Sequence, residues 1–263
     1  MMYKQSDLIE VKVTGCAGTI IINRVDHENT LTRLMVRQLT DAIDDLYREK
    51  AVRAIILTGA GDTFCEGVDL HELSEEDPEH SAQQWGEDAA NFRDLLLRML
   101  EITKPIIATV NGPALSGGAG LVAASDIVVA ANSASFGLPD PRHGIIAGIE
   151  APLVCYRIGA GHATQLLLTS KTIAAPAAQQ LGIFHELVET DQVWAKAMEV
   201  AQECAAGAPE AIQLTKRLLY ETIGEQLETQ LSSGAIMRAT SCTTYSAEEG
   251  IAAFIEKRPP NWQ

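Results

Sequence analysis

Two short segments of this chain offer chemistry from the main chain rather than from side chains. The first runs Asn111-Gly112-Pro113-Ala114-Leu115-Ser116-Gly117-Gly118-Ala119-Gly120-Leu121, between the apolar run 105–110 and an Ala/Leu/Val-rich helical pattern. Its glycines fall where a strand turns into a helix N-terminus, a place whose unpaired N–H donors and positive dipole end suit an approaching anion. Alone, such a loop reads as a tight turn whose glycines permit unusual dihedrals and close packing. The second segment, Thr63-Phe64-Cys65-Glu66-Gly67-Val68-Asp69-Leu70, changes that reading, because it follows the apolar run 52–58 just as the first follows 105–110. In an α/β sheet, loops at the same ends of neighbouring strands converge on one crevice. One N–H from each loop then makes a two-donor oxyanion hole.

The elements that must hold these loops follow from periodicity. Residues 8–13 alternate with period two, Gly15 and Gly18 punctuate, and residues 19–22 continue the pattern, which predicts a hairpin. Leu34, Leu39, Ile43, Leu46 and Tyr47 recur at helical spacing over residues 31–49, with Thr30 or Thr32 as N-cap. The β-branched run 52–58 is the next strand, so strand, helix, strand predicts a parallel crossover. The acidic stretch 70–84, containing Glu75-Glu76-Asp77-Pro78-Glu79, reads as a solvated loop, with a functional lid as the alternative. A helix over 85–103, a strand over 106–110, a helix over 117–124 and a strand over 127–130 keep the alternation going. Beyond Gly148 the pattern turns helical: 151–158, 162–169, 177–181, 192–206, 210–223 and 225 onward, interrupted by a strand at 184–188.

At 263 residues and 46% hydrophobic, the chain can bury a substantial core as one large domain, or as one domain with a terminal appendage. A formal net charge of −15 argues against sequence-independent attraction to nucleic acid or to an anionic membrane. The five cysteines, Cys16, Cys65, Cys155, Cys204 and Cys242, are widely spaced with no CxxC pair, which reads as reduced and intracellular. Cys65 itself reads as a small buried residue. The histidines are scattered singles without metal-ligand spacing, so no metal is expected. Residues 1–10 match neither a signal nor a transit peptide, and the longest apolar runs are too short to span a bilayer. A cytoplasmic protein without membrane or nucleic-acid partners is the expectation.

Both loops resemble the crotonase superfamily, the enoyl-CoA hydratase/isomerase family. Phe64 to Leu70 is similar to that family's first oxyanion segment, and Lys104-Pro105-Ile106-Ile107-Ala108-Thr109-Val110-Asn111-Gly112 through Leu121 to its second. Asp126-Ile127-Val128-Val129-Ala130, Ala134-Ser135-Phe136-Gly137-Leu138-Pro139 and Glu248-Glu249-Gly250-Ile251-Ala252-Ala253-Phe254-Ile255-Glu256-Lys257-Arg258 extend the likeness over essentially the whole chain. The resemblance implies an α/β fold: a core of repeated β-β-α units over residues 1–200, and a C-terminal helical region, 201–263, that trimerises and covers the CoA pocket. It also implies an acyl-CoA thioester as substrate, no other cofactor, and a homotrimer or hexamer.

By that resemblance the oxyanion donors are the N–H groups of Val68 and Gly117, which stabilise an enolate or tetrahedral oxyanion more than the ground-state carbonyl. The family's hydratases hold a water between two glutamates. Here the first of those positions is Gly120 and the second is Asp140. A lone carboxylate at Asp140 resembles the family's isomerases, in which one base carries a proton between α and γ carbons. Arg24, His71, Gly118 and Lys257 are the implied contacts for the acyl-CoA, Lys257 reaching a neighbouring subunit's ligand. Glu66 reads as a surface charge near the CoA path, or else as an extra acid/base group. His143, three residues after Asp140, is either a tuned partner for it or a loop histidine, and Glu150 reads as a favourable helix N-terminal charge rather than a catalyst. Isomerisation of an unsaturated acyl-CoA leads, followed by hydrolysis or decarboxylation, then hydration. An acyl-CoA-binding protein without catalysis is the alternative of a different class.

Overall fold

Runs such as Ala-Ile-Ile-Leu-Thr-Gly and Ile-Ile-Ala-Thr-Val have almost no polar face to offer water, so they form strands covered on both sides. The structure is a computed structural model that describes residues 8–75 and 81–262. Its strands are β1 (Ile9–Thr14), β2 (Ala17–Ile22), β3 (Ala54–Gly59), β4 (Ile106–Val110), β5 (Pro113–Leu115), β6 (Ile127–Ala131), β7 (Ser135–Gly137), β8 (Ile173–Ala174) and β9 (Glu186–Val188). Its α-helices are α1 (Arg33–Arg48), α2 (Leu70–Ser74), α3 (Ser81–Glu101), α4 (Gly117–Ala124), α5 (Glu150–Thr169), α6 (Ala175–Gln180), α7 (Val193–Ala206), α8 (Pro209–Cys242) and α9 (Tyr245–Ile255).

The main sheet has the order β1-β2-β3-β4-β6-β9, with β1 antiparallel to β2 and every later pair parallel. Side chains alternate across it. Ile55, Leu57, Ala108, Val110, Val128 and Ala130 join the large core with α1, α3 and α4. Ala54, Ile56, Ile107 and Val129 point the other way, onto Val193, Ala197, Val200 and Ala201 of α7. A second sheet, β5-β7-β8, stands apart, and its parallel pair sets Leu115 opposite Gly137.

The predicted hairpin, crossover and central strands are present, and Thr32 is the cap of α1, accepting from the Met35 N–H at 3.3 Å. The helices expected at 151–158 and 162–169 are the two halves of α5, which meet at Gly159 (φ 75°, ψ 156°). Two expectations are corrected. The stretch 70–84 is not all loop: Asp69 caps α2 through the N–H groups of His71 (2.8 Å) and Glu72 (3.2 Å), and α3 already begins at Ser81. Most of the acidic run, residues 76–79, lies outside the described residues. The helices expected at 210–223 and from 225 are one helix, α8. Gly224 costs a helix interior about 1 kcal/mol relative to Ala, and burial of Leu227, Leu231 and Ala235 in the core offsets it.

α8 is fastened near both ends. Lys216 Nζ sits 2.7 Å from Asp126 Oδ2 and donates to the carbonyls of Met99 (3.1 Å) and Lys104 (3.0 Å). Arg238, more than six turns later, reaches Asp140. α9 then folds back over the 3₁₀ turn 140–143, where Gly250 lets its backbone lie against that of His143. Among the described residues no helix is long and apolar enough to cross a membrane.

Candidate active site

The loops after β3 and β4 are brought side by side by the parallel pairing of those strands, Ile55 opposite Ile106 through Thr58 opposite Thr109. Two short parallel bridges then fix them. Cys65 pairs with Ala114, the Leu115 N–H donating to the Cys65 carbonyl at 2.9 Å. Leu31 pairs with Val68: the Leu31 N–H donates to the Gly67 carbonyl at 2.6 Å, and the Asp69 N–H to the Leu31 carbonyl at 3.0 Å. That bridge uses the groups on either side of the Val68 N–H and leaves it over. Gly117 is the first residue of α4, whose N–H no helical carbonyl can reach. Among the described residues neither N–H has a hydrogen-bond acceptor. The loops touch closely enough to dictate glycine. A Cβ on Gly67, at φ 101°, would strike the Ser116 side chain and crowd the Gly117 nitrogen, and one on Gly118 would strike the Cys65 carbonyl. Gly118 thus serves the packing of the two loops.

The small sheet aims the next pair of groups. β5 delivers Ser116 and β7, through Leu138 and Pro139, delivers Asp140. Ser116 adopts φ 49° and ψ −122°, a conformation that costs an L-residue roughly 1–3 kcal/mol. Three bonds hold it there: its N–H donates to Gly137 (3.0 Å), its carbonyl accepts from Gly120 (3.1 Å), and its Oγ donates to Asp140 Oδ1 at 2.6 Å. Arg238 Nη1 donates to the same Oδ1 at 3.2 Å, while Asp140 Oδ2 has no hydrogen-bond partner among the described residues. Asp140 is 3% exposed and Arg238 6%. Burial opposes the Arg238 charge, but Glu150 and Asp140 outweigh it and hold the guanidinium above its ordinary value.

Glu150 is the residue whose setting departs most from its reading in sequence. It does stand in the first turn of α5, yet it is wholly buried, with neither carboxylate oxygen hydrogen-bonded among the described residues. Its room comes from Gly120. A Cβ there would lie 3.0 Å from Glu150 Cγ, and 3.4 Å from Phe92 Cζ and Leu96 Cδ1. Arg238 Nη1 is 4.0 Å from Glu150 Oε1. Burial pushes the Glu150 carboxyl up to about 7, against the pull of Arg238 and with the help of Asp140.

Val68, Ser116, Asp140, His143 and Arg238 border one cavity of about 350 Å³, with Glu66, His71 and Phe254 at its rim. Glu66 is exposed, and partial burial together with Glu28 raises its carboxyl. His143 makes no hydrogen bond to Asp140 among the described residues; its ring packs edge-on against Phe254 at 5.1 Å, as His71 does at 6.2 Å. Burial lowers the His143 imidazole despite the nearby Asp140. Arg24 is committed elsewhere, to Asp69 and to Thr30, and so braces the start of α2. Lys257 is exposed past the end of α9, away from this cavity. Cys65 is pushed by burial up to about 12 and stays a thiol. Ser116, Arg238 and Phe254 are the site residues that sequence reasoning did not single out. Ser116 was visible as the neighbour of Gly117, but nothing in the sequence marks Arg238.

The profile of the enoyl-CoA hydratase/isomerase family matches residues 14–263. An enoyl-CoA hydratase of Mycobacterium tuberculosis, EchA19, is 33% identical over 96% of this chain and 95% of its own. A 1,2-epoxyphenylacetyl-CoA isomerase of Escherichia coli is 29% identical over 93% of this chain and 94% of its own. Among solved structures, a carnitinyl-CoA hydratase from Mycobacterium avium superposes with a TM-score of 0.82 at 31% identity, covering 98% of this chain and 99% of that one. The match of profile, sequence and fold over nearly the full length means that this chain is an enzyme of the enoyl-CoA hydratase/isomerase family, the crotonase superfamily.

Proposed function

We propose that this enzyme holds the thioester oxygen of an acyl-CoA between the N–H groups of Val68 and Gly117 and moves a proton with Asp140, shifting a double bond within the acyl group. The observation that carries this reading is a cavity bordered by Val68, Ser116 and Asp140: the Val68 N–H and, one residue past Ser116, the Gly117 N–H are unclaimed, and the buried Asp140 carboxylate keeps Oδ2 unpartnered among the described residues. As the α-proton leaves, charge gathers on the thioester oxygen, where the fixed donors stabilise it more than they do the ground state. Asp140 Oδ2 is the free oxygen that takes the proton and returns it at the γ carbon, while Ser116 and Arg238 hold Oδ1. Coenzyme A enters as the carrier part of the substrate, passing the rim formed by Glu66, His71 and Phe254. Assembly as a trimer, or as two trimers, belongs to the same reading, and the exposed Leu214, Leu218 and Leu219 on α8 offer apolar surface for it.

Hydration is the second reading, favoured by the names of relatives such as the M. tuberculosis hydratase; it requires Asp140 alone to hold the water. Incubation with a 3-enoyl-CoA in deuterated water separates the two. Migration of the double bond to the 2-position with deuterium incorporation, lost by about 10²–10⁴-fold in Asp140→Asn, is the expected result. Water addition to a 2-enoyl-CoA at a rate indifferent to Asp140→Asn overturns it.

A further inference from the structure

We infer that Glu150 is a positioning residue that governs the basicity of Asp140 through Arg238, so that one buried proton sets how strongly this site pulls on its substrate. The inference rests on the assignment of Asp140 as the proton carrier.

The argument begins with charge. Asp140, Glu150 and Arg238 are 3%, 0% and 6% exposed, so three ionisable groups lie together with little contact with water, Asp140 and Arg238 at the cavity wall and Glu150 behind them. One cation faces two carboxyl groups. With both ionised, the cluster holds an uncompensated negative charge in low dielectric, a costly state. Retaining one proton removes it. Asp140 has the better claim to the cation, with Arg238 at 3.2 Å and the Ser116 hydroxyl at 2.6 Å, whereas Glu150 has Arg238 at 4.0 Å and no hydrogen bond among the described residues. The proton therefore resides on Glu150, whose carboxyl burial has lifted to about 7.

Among the described residues no other charge acts strongly on Glu150. From α8, Glu150 faces Arg238, with the Cys242 thiol one turn beyond, itself raised by burial. From the turn 140–143 it faces Asp140. Around Gly120, α4 contributes no side chain, and α3 contributes the apolar Phe92 and Leu96.

When Glu150 gives up its proton, Arg238 is drawn toward it and is shared between the two carboxylates. Asp140 Oδ1 then keeps the Ser116 hydroxyl and part of the guanidinium, and becomes a stronger base. The substrate proton still passes to Asp140. Glu150 touches no reacting atom, since it borders none of the cavity.

The test is the pH profile of α-proton exchange on a 3-enoyl-CoA, read on the whole protein. In the unsubstituted enzyme kcat/KM rises by about tenfold as pH passes through about 7. Glu150→Gln, which cannot ionise, is expected to lose that step and keep the lower plateau across the range. Asp140→Asn abolishes exchange at every pH. If Asp140→Asn is inactive but Glu150→Gln keeps the step unchanged, the inference fails alone. If Asp140→Asn exchanges normally, the assignment of the base fails and takes the inference with it. Should Glu150→Gln not fold, infrared difference spectra of the unsubstituted protein between about pH 6 and about pH 8 carry the test: a protonated-carboxyl band that disappears supports the inference, and its absence overturns it.

Discussion

Gly120→Ala isolates the contact that gives Glu150 its place. In the interior of a helix such a change normally stabilises by about 0.5–1 kcal/mol, because alanine loses less backbone freedom on folding. Here the new methyl lies 3.0 Å from Glu150 Cγ, tighter than most packed carbons, so that Glu150 must give by a few tenths of an ångström, while its contacts with Phe92 and Leu96 at 3.4 Å are ordinary packing distances. Glu150 cannot swing aside, since it is wholly buried. Overpacking of this kind costs roughly 1–3 kcal/mol, so the net expectation is a loss of about 1 kcal/mol. Shortening the opposing side chain in Glu150→Ala removes the crowded Cγ, and in that background Gly120→Ala recovers its ordinary gain. The assay is a double-mutant cycle in urea, at one pH and one protein concentration, with the midpoint and slope followed by circular dichroism. A coupling energy of about 1–3 kcal/mol is expected. Equal effects of Gly120→Ala in the two backgrounds, or a gain in the unsubstituted protein, would refute the claim that Gly120 makes room for Glu150.

Further outcomes follow from the same geometry. Gly67→Ala combines a residue at φ 101° with a direct collision against Ser116; it is expected to cost more than about 2 kcal/mol and to lower kcat at least tenfold, because the Val68 and Gly117 donors lose their spacing. Normal stability and turnover in this variant would show that the loops need not touch. For Glu150, a carboxyl raised from 4.5 to about 7 binds its proton more tightly in the folded state. That stability is complete below the unfolded value and is lost as pH rises through the folded one, by about 2–3 kcal/mol between pH 5 and pH 8. Glu150→Gln should lose this component, so unfolding free energies of the two proteins that run parallel over that range would contradict the burial argument.

The fold was legible in sequence wherever the pattern ran long enough to average. The hairpin 9–22, the crossover from β2 through α1 to β3, and the pair β3 and β4 follow from runs of six or so apolar residues and a capped amphipathic helix. The two glycine loops were legible because glycine is a local necessity, and Gly67 and Gly118 are indeed where a Cβ would collide. β5, β7 and β8 were missed, since two or three residues carry no period, yet these strands aim Ser116 and Asp140. Gly224 suggested a break that α8 ignores, because local propensity of about 1 kcal/mol yields to a buried face. Glu150 shows the other kind of gap. Its position in the first turn of α5 was read correctly, but its burial depends on Gly120, thirty residues earlier, and on Arg238, supplied by a helix that begins at Pro209.

The two fastenings of α8 give its length a meaning beyond reach. Lys216 and Arg238 are twenty-two residues apart, about 33 Å along an unbroken helix. Adding or removing one residue between them shifts the second fastening by only about 1.5 Å but turns it by about 100° around the axis. Such a change would carry Arg238 out of the site while leaving the helix intact. The count of residues in that segment therefore acts as an angular setting: the charge balance around Asp140 is written in the phase of a helix, which an insertion changes and a substitution between the two fastenings does not.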